Sequence, residues 1–270
     1  MTVPAATSRT FDLGDELTVT VDERGDTDQR TGMLVLHGGA GPRSVAGLSA
    51  TLAEHNRVLT PTHPGFDGTP RAAWCDTIAD LAVTYLDLID ELGLTRVLVL
   101  GSSIGGWIAS EMATRDIHQR LSGVVLLNAV GIRPDDSQDM TDTRTITPVR
   151  MGELAFHNPA LRPNPAEMSE DQRAAQLANQ ETLALYGGES FLFDPKLRRR
   201  VRRIDLPVLA VWGLADGVAT ERYGRTFAGA FPRGQFAPIP DAAHFPHLEQ
   251  PGPTLAAIDT FIRNEIKPVG

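Results

Sequence analysis

Short β-branched or Leu-rich runs, most of them apolar at consecutive positions and each followed by a stretch of a different period, constrain this chain most: Met33 to Leu36, Arg57 to Leu59, Val97 to Leu100, Val124 to Leu127 and Val208 to Trp212. A strand with one face in water alternates apolar and polar residues. These runs hardly alternate, so both of their faces must be covered, as in a parallel sheet. Parallel neighbours need crossover connections, which are usually helices. One such helix is legible over 77–92, where Ile78, Leu81, Tyr85, Leu88, Ile89 and Leu92 recur three or four apart. Asp76 or Thr77 suits its start and Gly93 its end. A second runs from Ile104 to about Thr114, with Ile104, Trp107, Ile108 and Met112 inward. The alternation predicts an α/β fold, a mostly parallel central sheet flanked by helices with right-handed crossovers.

The rhythm breaks between Gly131 and Ile204. No buried strand is legible there, prolines are scattered (134, 148, 159, 163, 165 and 195), and helical spacing survives only in pieces such as Gln172 to Leu185. This reads as a helical cap, residues 132–203, inserted into a core made of 1–131 and 204–270. After it LPVLAVWG resumes the strand rhythm, followed by a helix near 223–230, a short strand near 235–239 and a last helix over 253–266. A chain of 270 residues accommodates one large domain with such an insertion.

The strongest chemical signal is Gly101-Ser102-Ser103-Ile104-Gly105, between the strand VLVL and the second helix. Glycines two positions either side of a serine at a strand-to-helix turn permit the strained backbone that lifts the hydroxyl clear of the sheet. Ser103 is therefore the candidate nucleophile, and Ser102 lacks glycines at that spacing. A serine needs a base, and the base needs an orienting acid. With a nucleophile elbow, acid and then histidine follow in chain order. Asp216 lies just past the strand ending at Trp212, with Asp241 and Glu249 as fallback acids. Of the seven histidines (37, 55, 63, 118, 157, 244 and 247), His244 sits in the loop between the last strand and the final helix. Its neighbour His247 is not separated from it by spacing alone. The early loop LHGGAGP, residues 36–42, brings glycine backbone close to a strand end. Gly39, with Ala40 next, is the first candidate oxyanion donor, and the N–H of Ile104 the second. The loop lacks Gly-Lys-Ser/Thr and is not Gly-x-Gly-x-x-Gly, which points away from nucleotides.

Taken together, His-Gly-Gly after an early strand, THPGFDGTPR (62–71), GSSIGGW (101–107), VWGLAD (211–216) and AAHFPHLEQP (242–251) resemble the α/β-hydrolase superfamily, in particular its esterase-like members with a serine nucleophile and a helical cap. The resemblance spans nearly all of the chain outside the cap. It implies an α/β-hydrolase fold, with Ser103 as nucleophile, Asp216 as acid and His244, the first histidine of its motif, as base. It implies no metal and no organic cofactor. Ala243 stands where the family usually has Gly. Substrate pockets in such enzymes lie between cap and core. Ala40, Trp107, Phe156 and Phe245 are the pocket candidates, although Trp107 at helical spacing also fits core packing.

The expected reaction is hydrolysis of a carboxylic ester or related acyl bond in a small, partly apolar substrate. The rivals are a carbon-carbon bond hydrolase or lactonase on the same triad, and a ligand-binding protein or cofactor-free cyclase that uses the cap pocket. Meta-cleavage hydrolases often carry Trp after the catalytic His, where this chain has Phe245. The formal charge of −9 disfavours nucleic acid and anionic membranes as partners. A single cysteine, Cys75, excludes an internal disulfide framework or a multi-thiolate metal site. No apolar stretch approaches the ~18 residues of a membrane span, and the N-terminal sequence lacks the basic head and apolar run of a secretory signal. A cytoplasmic location is expected. KLRRRVRR (196–203) reads as a solvated hinge or helix face.

Overall fold

The computed structural model describes residues 5–164 and 166–266. The first four residues of the N-terminal stretch read above, and Pro165, lie outside them. Where the sequence alternates, the chain opens with an antiparallel hairpin, β1 (Thr7–Asp12) and β2 (Thr18–Arg24). The apolar runs follow as β3 (Met33–Leu36), β4 (Val58–Thr62), β5 (Val97–Ser102) and β6 (Leu121–Leu127). Between them come α1 (Ala46–Leu52), α2 (Ile78–Glu91) and α3 (Ile104–Arg115). After the intervening segment, β9 (Val208–Gly213), α7 (Glu221–Ala228), β10 (Gly234–Ile239), α8 (Pro246–Glu249) and α9 (Pro251–Glu265) complete the series.

Among the described residues, eight strands form the central sheet in the order β1-β2-β4-β3-β5-β6-β9-β10. From β4 to β10 every pairing is parallel, and β2 pairs antiparallel with β4. The consecutive apolar residues now have a cause. Along β3, Leu34 and Leu36 enter a core with α2, α3 and α7, whereas Met33 and Val35 enter a second core with α1 and α9. Period-two geometry therefore sends neighbouring residues into opposite helical layers. α2 starts at Thr77 with a reciprocal capping box to Asp80, which satisfies two otherwise orphaned N–H groups. The β1–β2 hairpin was not legible as a buried run because β2 buries only every second residue.

Among the described residues, the segment between β6 and β9 contributes no strand to the central sheet. It holds α4 (Pro148–Ala155), α5 (Glu170–Gly187) and α6 (Leu197–Val201). It also contains a two-stranded parallel sheet of β7 (Gly131–Ile132) and β8 (Phe193–Asp194), where the sequence reading had no strand. Strands of two residues are too short to leave a pattern. Asn179, Thr182 and Tyr186 lie on one face of α5 and bond Asp67, the Gly65 carbonyl and the Pro64 carbonyl. The basic run is less solvated than expected: α6 buries Leu197 and Val201, and Arg200 pairs with Asp194 and with buried Glu111. No described helix is long and apolar enough to cross a membrane.

Candidate active site

The turn from β5 into α3 is set by sterics. A Cβ on Gly101 would stand 2.2 Å from the Gly105 carbonyl oxygen, and one on Gly105 would stand 2.3 Å from the Leu36 carbonyl oxygen. Gly106 has the same constraint, 2.3 Å from the Ala129 methyl. These obstacles are backbone or core atoms that cannot swing aside. The glycines thus let α3 start hard against β3, β5 and the end of β6. Ser103 takes up the bend at φ 54°, ψ −118°. Non-glycine residues pay ~1–3 kcal/mol for such a conformation, and it persists only where the surroundings hold it. Here the Ser103 N–H donates to the Leu127 carbonyl, and the Ser103 carbonyl accepts from Gly106 and Val130.

Asp216 follows β9 and His244 follows β10, so with Ser103 after β5 the candidate residues gather at the carboxyl ends of parallel strands, where open α/β sheets bind ligands. Asp216 and His244 are both buried, and His244 Nδ1 donates to Asp216 Oδ2 at 2.9 Å. That bond fixes the neutral tautomer with its lone pair on Nε2. The carboxylate is held by more than the histidine. Its Oδ1 accepts from the N–H groups of Val218 at 2.7 Å and Ala219 at 3.1 Å, and its Oδ2 also accepts from Asn128 Nδ2 at 2.7 Å. Asn128, buried at the end of β6 with φ 42°, takes the Gly213 N–H on its Oδ1. Sequence reasoning missed Asn128. Its signal was a polar residue ending the run VVLL at the ligand-binding edge of the sheet.

The intervening segment supports the same loops. The last carbonyls of α4 accept from the acid loop and the histidine loop, Gly217 N–H to Leu154 and His244 N–H to Ala155, each at 3.0 Å. Asp139, buried, bonds Thr220 and Arg222 just beyond Asp216. His247 does not compete for Asp216: its Nε2 donates to the Ser44 carbonyl and its Nδ1 is buried without a partner among the described residues. The fallback acids sit elsewhere, Asp241 exposed and Glu249 bonded to backbone N–H groups.

The glycine loop after β3 runs beside the elbow, where a Cβ on Gly38 would lie 2.9 Å from Ser103 Cβ. A directed chain of hydrogen bonds fixes this loop. Tyr85 donates to His63 Nδ1, and His63 Nε2 donates to the His37 carbonyl. The His63 N–H donates to His37 Nε2, and His37 Nδ1 donates to the Gly38 carbonyl. Burial lowers the His37 pKa to about 4 and pushes that of His63 down too, so both rings are neutral, as this chain requires. The Gly38 carbonyl also accepts from Gly41, so the Gly38–Gly39 peptide is pinned with the Gly39 N–H on the opposite side. Ile104 is the first residue of α3, and its N–H has no carbonyl one turn back to bond.

Among the pocket candidates, Ala40 is exposed on the loop. Phe156 and Phe245 pack together at 5.1 Å between ring centroids, in a small cluster with Ala155 and Val218 beside His244. Trp107 is buried against Gly131 and belongs to the main core, though its indole N–H has no partner among the described residues. Phe66 and Tyr186 stack in that same core. Leu183 of α5, which the sequence did not single out, lies over the glycine loop: a Cβ on Gly39 would come 2.6 Å from Leu183 Cδ2.

The model of the alpha/beta hydrolase family matches residues 33–258. The pimeloyl-[acyl-carrier protein] methyl ester esterase of Serratia marcescens is 24% identical, the match covering 85% of this chain and 93% of that protein. The esterase of Thermogutta terrifontis superposes with a TM-score of 0.75 at 21% identity, covering 97% of this chain and 100% of the other. A meta-cleavage product hydrolase of Pseudomonas fluorescens IP01 superposes at 0.76 with 17% identity, covering 94% and 97%. At such identities the superpositions establish the fold alone. The family match reaches from β3 into α9 and takes in every strand of the parallel part of the sheet; this chain belongs to the alpha/beta hydrolase family and is a hydrolase.

Proposed function

We propose that the chain is a serine hydrolase cleaving a carboxylic ester or related acyl bond of a small, partly apolar substrate, with Ser103 as nucleophile, His244 as base and Asp216 as the orienting acid. The observation that carries this reading is the hydrogen-bonded pair of His244 and Asp216 at the sheet edge that also bears the strained Ser103 turn. Asp216 holds the imidazole with Nε2 free to accept the Ser103 proton as the hydroxyl attacks the carbonyl. The N–H groups of Gly39 and Ile104 stabilise the oxyanion, each worth ~3 kcal/mol in sites of this kind. His244 then returns the proton to the leaving alcohol, and with water as second nucleophile it acts again as base to release the acid.

Residues 132–203 act as a cap in this reading. Leu183 over Gly39 and the Phe156–Phe245 pair beside His244 supply apolar walls, which suits an acyl group with a hydrocarbon portion. The methyl ester esterase of Serratia marcescens supports ester cleavage over the other reactions of the fold. A substrate panel tests it: short-chain p-nitrophenyl esters are expected to turn over faster than a γ-lactone or a vinylogous diketone. Faster cleavage of the diketone, or no ester turnover by folded protein, would overturn the ester assignment.

A further inference from the structure

The loop bearing His244 has a support that the mechanism above leaves unused. Glu249, the last residue of α8, is only partly exposed, and each of its carboxylate oxygens takes one backbone N–H: Oε2 that of Ala243 and Oε1 that of Asn158, both at 2.7 Å. Ala243 is the residue before His244. Asn158 lies three residues past the end of α4, in the cap. The neighbouring His244 N–H is bonded to the Ala155 carbonyl at 3.0 Å. The backbone N–H of Glu249 is itself tied to the Phe245 carbonyl, so α8 closes the loop 243–249 on itself. Cap residues 155–158, the histidine loop and the end of α8 thus form one closed ring with the Glu249 carboxylate bridging its parts.

We propose that Glu249 is a positioning residue: its carboxylate fixes the backbone on the N-terminal side of His244 and makes the position of the imidazole depend on the docking of the cap. The inference rests on His244 being the base. It requires a carboxylate at this position, because both bonds are accepted from N–H groups. An amide offers one acceptor oxygen, and its NH2 would face a second donor. It also makes Ala243 and His244, two consecutive residues, answer to the cap through separate bonds. A shift of the loop by a fraction of an ångström is then resisted by both. Misplacement on the scale of 1 Å costs ~100-fold in rate when it separates reacting groups.

The test compares Glu249→Gln, Asn158→Pro and the double variant in the full chain, with p-nitrophenyl butyrate as substrate. Asn158→Pro removes the backbone donor and sets the ring Cδ where that hydrogen pointed, so the Glu249 carboxylate must withdraw from Asn158; the native φ of −79° suits proline, and the side-chain bond to the Ala160 N–H is lost as well. Asn158→Ala keeps the donor and serves as control for the side chain. Glu249→Gln is expected to lower kcat ten- to a hundredfold with KM within about twofold. Asn158→Pro should lower kcat about tenfold where Asn158→Ala does not, and the double variant should lose less than the product of the two. A role in stability alone would move the melting temperature and leave kcat of the folded protein at the wild-type value, which would overturn the proposal. If Glu249→Gln does not fold, Asn158→Pro decides on the same criterion. Wild-type protein that turns over the ester no faster than Ser103→Ala would overturn the triad itself, a result distinguishable from wild-type kcat in the Glu249 and Asn158 variants.

Discussion

Replacing Ser103 by Ala is expected to lower kcat for a short p-nitrophenyl ester by about 10⁵-fold or more and to leave the fold intact. The magnitude follows from what the substitution takes away. In the proposed mechanism, loss of Oγ removes the acyl-enzyme and leaves His244 only water to activate, whereas the candidate oxyanion donors would still give ~10³–10⁴ over the uncatalysed reaction. Stability should hold because Ala retains the Cβ, and the backbone bonds to Leu127, Gly106 and Val130 need no side chain. Asp216→Asn should lose ~10⁴, since an amide in place of the carboxylate can donate to Nδ1 and so select the wrong tautomer. Steady-state kinetics on circular-dichroism-matched proteins checks both. Retention of more than a tenth of the wild-type kcat in folded Ser103→Ala would remove Ser103 from the chemistry.

The second large effect concerns stability in acid. Burial in apolar surroundings lowers the pKa of both His37 and His247 to about 4, and that of His63 falls well below its ordinary value for the same reason. The ordinary value for histidine is about 6.5, which the unfolded chain retains. Between pH 6.5 and 4 the unfolded chain therefore binds protons that the folded chain refuses, and stability must fall as the pH drops through that window. It is fully present above pH 6.5 and stops declining through His37 and His247 below about pH 4, where the folded form takes up those protons too. Each of these two histidines contributes up to ~3 kcal/mol, and with His63 the slope approaches ~3–4 kcal/mol per pH unit. Urea midpoints at pH 7.5, 6 and 5 are expected to fall steeply in order. His247→Gln, whose amide can still donate to the Ser44 carbonyl, should flatten the slope by about one proton. Equal midpoints at pH 7.5 and 5 would contradict the buried neutral histidines. The consequence for function is specific: His37 and His63 hold the glycine loop, so their protonation loosens the candidate oxyanion donors together with the fold.

Much of the scaffold was legible because burial on both faces leaves a direct mark: the apolar runs of β3, β5, β6 and β9 could not serve a half-exposed sheet. The elbow was legible for a related reason, since glycines forced by backbone contacts at 2.2–2.4 Å leave no alternative residue. The β1–β2 hairpin was missed because its alternation resembles that of any surface segment, and β7 and β8 because pairs of residues carry no period. Contacts between distant parts of the chain were invisible for a different reason. The Asn128 side chain reaches Asp216 across 88 positions and the Asn158 backbone N–H meets Glu249 across 91, and composition does not specify which donor meets which carboxylate. His244 and His247 show the limit most clearly. Three residues apart in one motif, they face Asp216 and the Ser44 carbonyl respectively, a difference made by the single turn of α8.

Activation of Ser103 is read by peptide mapping with mass spectrometry after labelling with a fluorophosphonate, which reacts with a serine only where a base and an oxyanion site activate it. One adduct is expected, on Ser103, formed rapidly in the wild type and slowed at least a thousandfold in folded His244→Ala. A rapid adduct on another residue, or folded wild-type protein that takes up no label at Ser103, would contradict it.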